Sequence, residues 1–223
     1  FLHHPDVSQT KKEAVESTQF YSDSVGPDRA TIIEDNEEAL KMRLRVIKDA
    51  QKTLILSTFD FRSDDAGKDI LAALLNAADR GVKVEIFADG FNSIIQMENN
   101  DYFYALSSNK NIKIIIYNQV NILIPWNGLG RMHDKYVIAD DSLYILGGRN
   151  TFGYFLGDYA GHKNYDRDVL VYNTGSKASS IYQIKDYYKK ITSQKCCSVF
   201  HCNESLGEKN SVKKSVPRPC SLP

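Results

Sequence analysis

Three short apolar runs, spaced by stretches with helical periodicity, constrain this chain more than any other feature. Thr53-Leu-Ile-Leu-Ser-Thr-Phe59, Val82-Lys-Val-Glu-Ile-Phe-Ala88 and Ile112-Lys-Ile-Ile-Ile-Tyr117 have the length and β-branched content of strands. Between the first two, Asp64 or Asp65 caps a helix with the apolar stripe Ile70, Leu71, Leu74, Leu75 and Ala78, and Gly81 stops it. A further helix is expected over about 93–107. Strands joined by helix-length crossovers lie parallel, so the β-α-β-α-β run predicts an α/β fold. The expected sheet is mixed but mostly parallel, with helices on both faces.

The flanking segments extend this unit. Upstream, Asp35 is an N-cap with Glu38 at the third helical position, and Ala39, Leu40, Leu44, Ile47 and Ala50 recur at helical spacing. Downstream, Lys135-Tyr-Val-Ile-Ala139 and Ser142-Leu-Tyr-Ile-Leu146 are separated by Asp140-Asp141, a hairpin signal. Asp168-Val-Leu-Val-Tyr172 is another strand, and a helix over about 178–191 closes the ordered part. The expected organisation is a polar leader over 1–30, one domain over 31–192, and a flexible tail over 193–223. Because the chain starts at Phe1, a mature form or an excised piece is expected.

Composition excludes several classes. With 42% hydrophobic and 25% charged residues, the chain is neither disordered nor fibrous. Lys and Arg number 28 and Asp and Glu 28, a balance that disfavours broad capture of a polyanion such as duplex DNA. No run approaches the roughly 18 apolar residues of a membrane helix. All four cysteines, Cys196, Cys197, Cys202 and Cys220, fall in the tail. With His201 they make a poorly spaced zinc set, and a disulfide or free thiols remain as alternatives.

The chemistry gathers at the hairpin. Residues two apart in an extended chain share a face, so the imidazole of His133 and the ammonium of Lys135 emerge together. With Asp140-Asp141 as a two-residue turn, Lys135 pairs with Leu146 and His133 with Gly148, leaving open space opposite the imidazole. The backbone beyond Gly147-Gly148 then presents Asn150. A nucleophilic imidazole, a fixed cation and a non-titrating amide donor suit a phosphate group. Arg131 and Arg149 flank this pocket and are candidate phosphate contacts, against the plainer reading as exposed arginines. Trp126, Tyr154, Phe155 and Tyr159 are candidates for a rim facing a lipid headgroup layer, or for packing on their own domain.

The pattern His133-x-Lys135-x4-Asp140-x6-Gly147-Gly148-x-Asn150 resembles the HKD motif of the phospholipase D superfamily. Its wording, Arg131-Met-His-Asp-Lys135 and Gly147-Gly-Arg-Asn150, is most similar to bacterial cardiolipin synthases. The resemblance covers about 30–192 and implies a phosphatidyltransferase that works through a covalent phosphohistidine, without cofactor or metal. His133 is then the nucleophile, while Lys135, Gly148 and Asn150 form the phosphate-binding set. Asp140 completes the catalytic motif by fixing the turn rather than by touching substrate. An acidic residue orients the histidine in such families, and Asp168 is the expected one, with Asp166 in reserve. The implied setting is the bacterial cell envelope, with a phospholipid substrate at a peripheral membrane surface and no nucleic acid partner. The chain itself is then soluble, with no transmembrane segment.

The family's chemistry needs two motifs, and none of His3, His4, His162 and His201 has a lysine two residues later. The second motif is therefore expected either from a missing C-terminal half or from a second copy of the chain. The alternatives are a single-motif phosphodiesterase or nuclease working as a homodimer, and a noncatalytic half-domain that binds anionic headgroups.

Overall fold

The computed structural model describes residues 23–120 and 130–200. The strands are β1 (Asp28–Ile33), β2 (Thr53–Thr58), β3 (Lys83–Asp89), β4 (Ile112–Tyr117), β5 (Tyr136–Ala139), β6 (Leu143–Gly147), β7 (Asp168–Asn173) and β8 (Cys197–Val199). The helices are α1 (Asn36–Asp49), α2 (Asp65–Asp79), α3 (Gly90–Gln96), α4 (Asp101–Ser107) and α5 (Ile181–Thr192). All eight strands form one sheet in the order β1-β7-β6-β5-β2-β3-β4-β8.

The central strands are apolar without a break because both faces of the sheet are buried. Leu54, Leu56, Val84, Ile86, Ile114 and Ile116 point to one face, where they pack with α1, α2 and α4. Their neighbours Ile55, Phe87 and Ile115 point to the other, where Ile181 and Tyr188 of α5 cover them. The α/β class and the helices on both faces are as expected. The balance of pairings is not: only β2 with β3 and β3 with β4 are parallel, and the other five pairings are antiparallel. The crossover argument holds where helices join consecutive strands. The second half of the sheet is instead built from hairpin-type neighbours that need no crossover.

Local chemistry explains most element ends. Asp35 Oδ1 accepts from the Glu38 amide at 2.9 Å, and Asp64 Oδ1 from the Gly67 amide at 3.0 Å, so both caps fall where the sequence places them. The helix expected over 93–107 is two short ones. Asn99 turns left-handed with φ 56°, and the Asn100 side chain starts α4 by accepting from the Tyr102 amide. The domain also reaches beyond 31–192 at both ends. β1 starts at Asp28 as an edge strand on β7, and β8 adds to β4, placing Phe200 in the core. Edge strands carry weak alternation, which hid both from the sequence pattern.

The hairpin register differs by one residue from expectation. Tyr136 pairs with Leu146 and Ala139 with Leu143, leaving the three-residue loop Asp140–Ser142. Lys135 therefore lies opposite Gly147, whose amide donates to its carbonyl at 3.2 Å, and Gly148 does not face His133. Asp140 is the cause. It takes φ 54°, and its carboxylate accepts from the amides of Gln51, Lys52 and Thr53 at 2.8–2.9 Å, which ties the loop to the α1–β2 turn. The expected result of Asp140→Ala is a loss of about 1–3 kcal/mol in urea unfolding. Its structural reason is three amides left to solvent beside a loop whose register they help set.

Candidate active site

His133 and Lys135 come together in the extended segment that leads into β5. Lys135 Nζ lies 3.1 Å from His133 Nδ1 and donates to the His133 carbonyl at 2.7 Å. Lys135 is buried, and the imidazole is exposed. Phe59, just past β2, packs its ring against the imidazole with centroids 4.5 Å apart, and Lys135 Nζ lies 5.4 Å from the same ring. The segment is held in place by Asp89 at the end of β3. This fully buried carboxylate accepts from Arg131 Nε at 3.0 Å, Arg131 Nη2 at 2.8 Å and the Met132 amide at 3.1 Å. It also caps α3 through the amides of Phe91 and Asn92. Arg131 is thereby held by Asp89 and lies over the rings of Phe59 and Phe91. Sequence reasoning missed the anchoring roles of Phe59 and Asp89. The available signal was Asp89-Gly90 at a strand-to-helix junction.

Asn150 lies beyond β6, and its Oδ1 accepts from the Asp60 amide at 3.2 Å. That bond fixes the amide orientation, so the NH2 group is the end left for a ligand. Asp60 follows Phe59 directly, so Asn150 sits one residue's span from the ring against His133. The two glycines before it do not open space for the imidazole. A Cβ at Gly147 would strike the Asp168 carboxylate, and one at Gly148 the Asp166 carboxylate. They are glycines because two acidic side chains pack against bare backbone.

Asp168 does not orient His133. Its Oδ2 accepts from Arg43 at 2.9 Å and from Arg149 at 3.2 Å, with all three side chains buried, and its Oδ1 has no hydrogen-bond partner. Arg149 is also taken up inside the fold. It donates to Asn36 Oδ1 and to the carbonyls of Ile33 and Glu34, so it is no phosphate contact. Of the two acidic candidates, Asp166 is the one whose charge acts on Lys135. Asp140 lies in the loop at the far end of β5 from His133.

Partial desolvation of the ring, first of all, holds the His133 imidazole below its ordinary pKa of 6.5, and the Lys135 charge adds to this against Asp134 and Asp89. Burial likewise lowers the Lys135 ammonium, opposed by Asp134 and Asp166. A lowered histidine is neutral, and so competent as a nucleophile, over a wider acidic range. In an NMR titration the His133 ring is expected to protonate with a midpoint below 6.5, and Lys135→Met to raise that midpoint. An unchanged midpoint in the variant contradicts this coupling.

A cleft of about 450 Å³ opens beside this pair, between β6 and α5. Elsewhere, Tyr154 stays exposed and packs against His162, while the Tyr159 hydroxyl donates to Asp69 and Phe155 packs on the core. Trp126, His201, Cys202 and Cys220 lie outside the described residues. Among the described residues Cys196 and Cys197 form no disulfide, and burial pushes the Cys197 thiol up to about 11. Among the described residues, no cluster of side chains suits a metal ion, and no helix is long and apolar enough to cross a membrane.

The geometry joins an imidazole and a buried lysine at one end of the sheet, and comparison with known proteins gives the family. The family described as cardiolipin synthase, PLD-like domain, matches residues 44–191, and the chain belongs to that phospholipase D-like family. It is 32% identical over 142 residues to cardiolipin synthase B of Salmonella typhi, covering 63% of this chain and 34% of that protein. The chain thus spans about a third of that relative's length. In fold it is similar to NucT from Helicobacter pylori, with a TM-score of 0.60 and 22% identity over 78% of this chain and 99% of that one. The phospholipase D family member Nuc from Salmonella typhimurium gives 0.55 and 20%, over 78% and 99% of the two chains.

Proposed function

We propose that this chain supplies one of the two histidine-lysine halves of a phosphatidyltransferase of cardiolipin synthase type. The carrying observation is the 3.1 Å approach of Lys135 Nζ to His133 Nδ1 beside a cleft, with the Asn150 amide held on the backbone of Asp60, next to Phe59. In the reaction His133 Nε2 attacks phosphorus, the bond to the leaving alcohol oxygen breaks, and a phosphohistidine forms. The leaving oxygen takes a proton from the histidine of the second half. An acceptor alcohol then gives its proton to that same histidine and displaces His133 from phosphorus. Lys135 and the Asn150 amide hold the nonbridging oxygens as charge builds.

The lysine contact adds a condition. A protonated Lys135 can only donate, so Nδ1 accepts and the ring proton of neutral His133 sits on Nε2. Attack through Nε2 requires Lys135 to turn from the ring to the phosphate and the proton to move to Nδ1. Substrate binding and nucleophile activation are thus one event. Asp166, whose charge acts on Lys135, is the carboxylate expected to assist.

The test is a pulse of ³²P-labelled phosphatidylglycerol on the native gene product, quenched in alkali, where phosphohistidine survives. Label on residue 133, absent in His133→Ala, is expected; turnover without label at 133 overturns the mechanism. The second reading is a homodimeric single-motif phosphodiesterase or nuclease, favoured by a fold match that extends over 99% of NucT. A dimer that cuts oligonucleotides without magnesium supports it, whereas a chain inert on them supports the lipid reading.

A further inference from the structure

We infer that Tyr187 on α5 is a positioning residue for the segment that carries His133 and Lys135, acting through the hydrogen bond it donates to Asp134 at 2.7 Å. This rests on the phosphohistidine chemistry proposed for His133. The segment needs such a tie. Tyr136 is the first residue of β5 that pairs with β2 and β6, so residues 131–135 run ahead of both ladders. Asp89 holds their start through Arg131 and the Met132 amide, and the Gly147 amide holds their end through the Lys135 carbonyl. Between these anchors, the shortest hydrogen bond to the rest of the fold among the described residues is the one from Tyr187; Ser57 Oγ reaches the Asp134 carbonyl only at 3.4 Å.

Alternation along the extended chain decides which side chain can take the tie. Met132 and Tyr136 are buried in the layer that α5 covers, and Asp134, between them, meets Tyr187. His133 and Lys135 alternate with these three, the imidazole lying against Phe59 and the ammonium beside the imidazole. Asp134 is thus gripped without obstructing either. The support behind Tyr187 is firm. Its neighbour Tyr188 is buried and donates to Glu85 on β3 at 2.8 Å, and Lys185 donates to the Asp140 carbonyl at 3.0 Å. Asp28 accepts from the hydroxyls of Ser179 and Ser180 just ahead of the helix. A group held from a rigid element keeps its place better than one held from a loop. Partial desolvation, and then the bond to Asp134, push the Tyr187 hydroxyl up to about 12, so it remains a donor at neutral pH.

The test is phosphodiester turnover by the native gene product, with an NMR titration of the His133 ring in the same variants. Tyr187→Phe, which removes only the hydroxyl, is expected to lower kcat about tenfold with KM little changed, because a small displacement of a reacting group is costly to the chemical step. Asp134→Ala should do the same, and the double variant should lose no more than either single one. Asp134→Asn keeps an acceptor oxygen for Tyr187 and should restore part of the loss. Beyond desolvation, the His133 ring is faced by Lys135 and Arg131, which lower its midpoint, and by Asp134 and Asp89, which raise it. Tyr187→Phe leaves the Asp134 carboxylate without its donor and is expected to raise the midpoint, whereas Asp134→Asn should lower it. A tenfold loss in Tyr187→Phe with an unmoved midpoint assigns the tie to the fold alone and overturns the positioning role. Full turnover in Tyr187→Phe, with His133→Ala inactive, overturns that role and leaves the phosphohistidine reading intact. Turnover that survives His133→Ala overturns both.

Discussion

Replacing His133 by alanine is expected to lower phosphodiester turnover by about 10³-fold or more, because in the proposed mechanism the variant has no group to form the covalent bond to phosphorus. Circular dichroism should be unchanged, since the ring is exposed and its packing partner Phe59 follows directly on β2. Lys135→Met is expected to cost about 10²–10³-fold, the usual loss when one charge-stabilising donor is removed. The measurement is steady-state hydrolysis of a chromogenic phosphodiester by the native gene product. A His133→Ala protein that retains a tenth of wild-type turnover would show that the exposed imidazole is not the nucleophile.

Asp168→Ala is expected to cost about 3–5 kcal/mol of stability, the range found when one member of a buried ion pair is removed and its partner left behind. Here two guanidinium groups, of Arg43 and Arg149, lose the same carboxylate oxygen, and none of the three side chains has appreciable access to water. Urea unfolding of the variant should show a midpoint well below wild type. The triple replacement Arg43→Met, Arg149→Met and Asp168→Leu should recover much of the loss, because an apolar set removes the stranded charge. A single variant as stable as wild type would mean that the buried arginines find other acceptors.

The two parts of the molecule differ in how far the sequence revealed them. Asp35, Asp64, Gly81 and the continuous apolar runs of β2, β3 and β4 are local signals, and they mark the elements correctly. The spacing of His133 and Lys135 is also local, and their contact follows from it. The hairpin register was not legible, because it depends on Asp140 reaching three amides some 90 residues earlier in the chain. Nor was the true position of Asp168, since nothing in its own neighbourhood announces Arg43 on α1 as its partner. Charged residues at helix positions read as solvated by default, and a buried arginine becomes visible only once its carboxylate is found.

Phe59 follows the end of β2, Asp89 ends β3, His133 precedes β5 and Asn150 follows β6. With β5 running against β2, all four belong to one rim of the sheet, whereas the Asp140 loop and the start of β2 form the opposite rim. Loops on the first rim can therefore change while the opposite rim, tied through Asp140 to the start of β2, acts as the keel of the sheet.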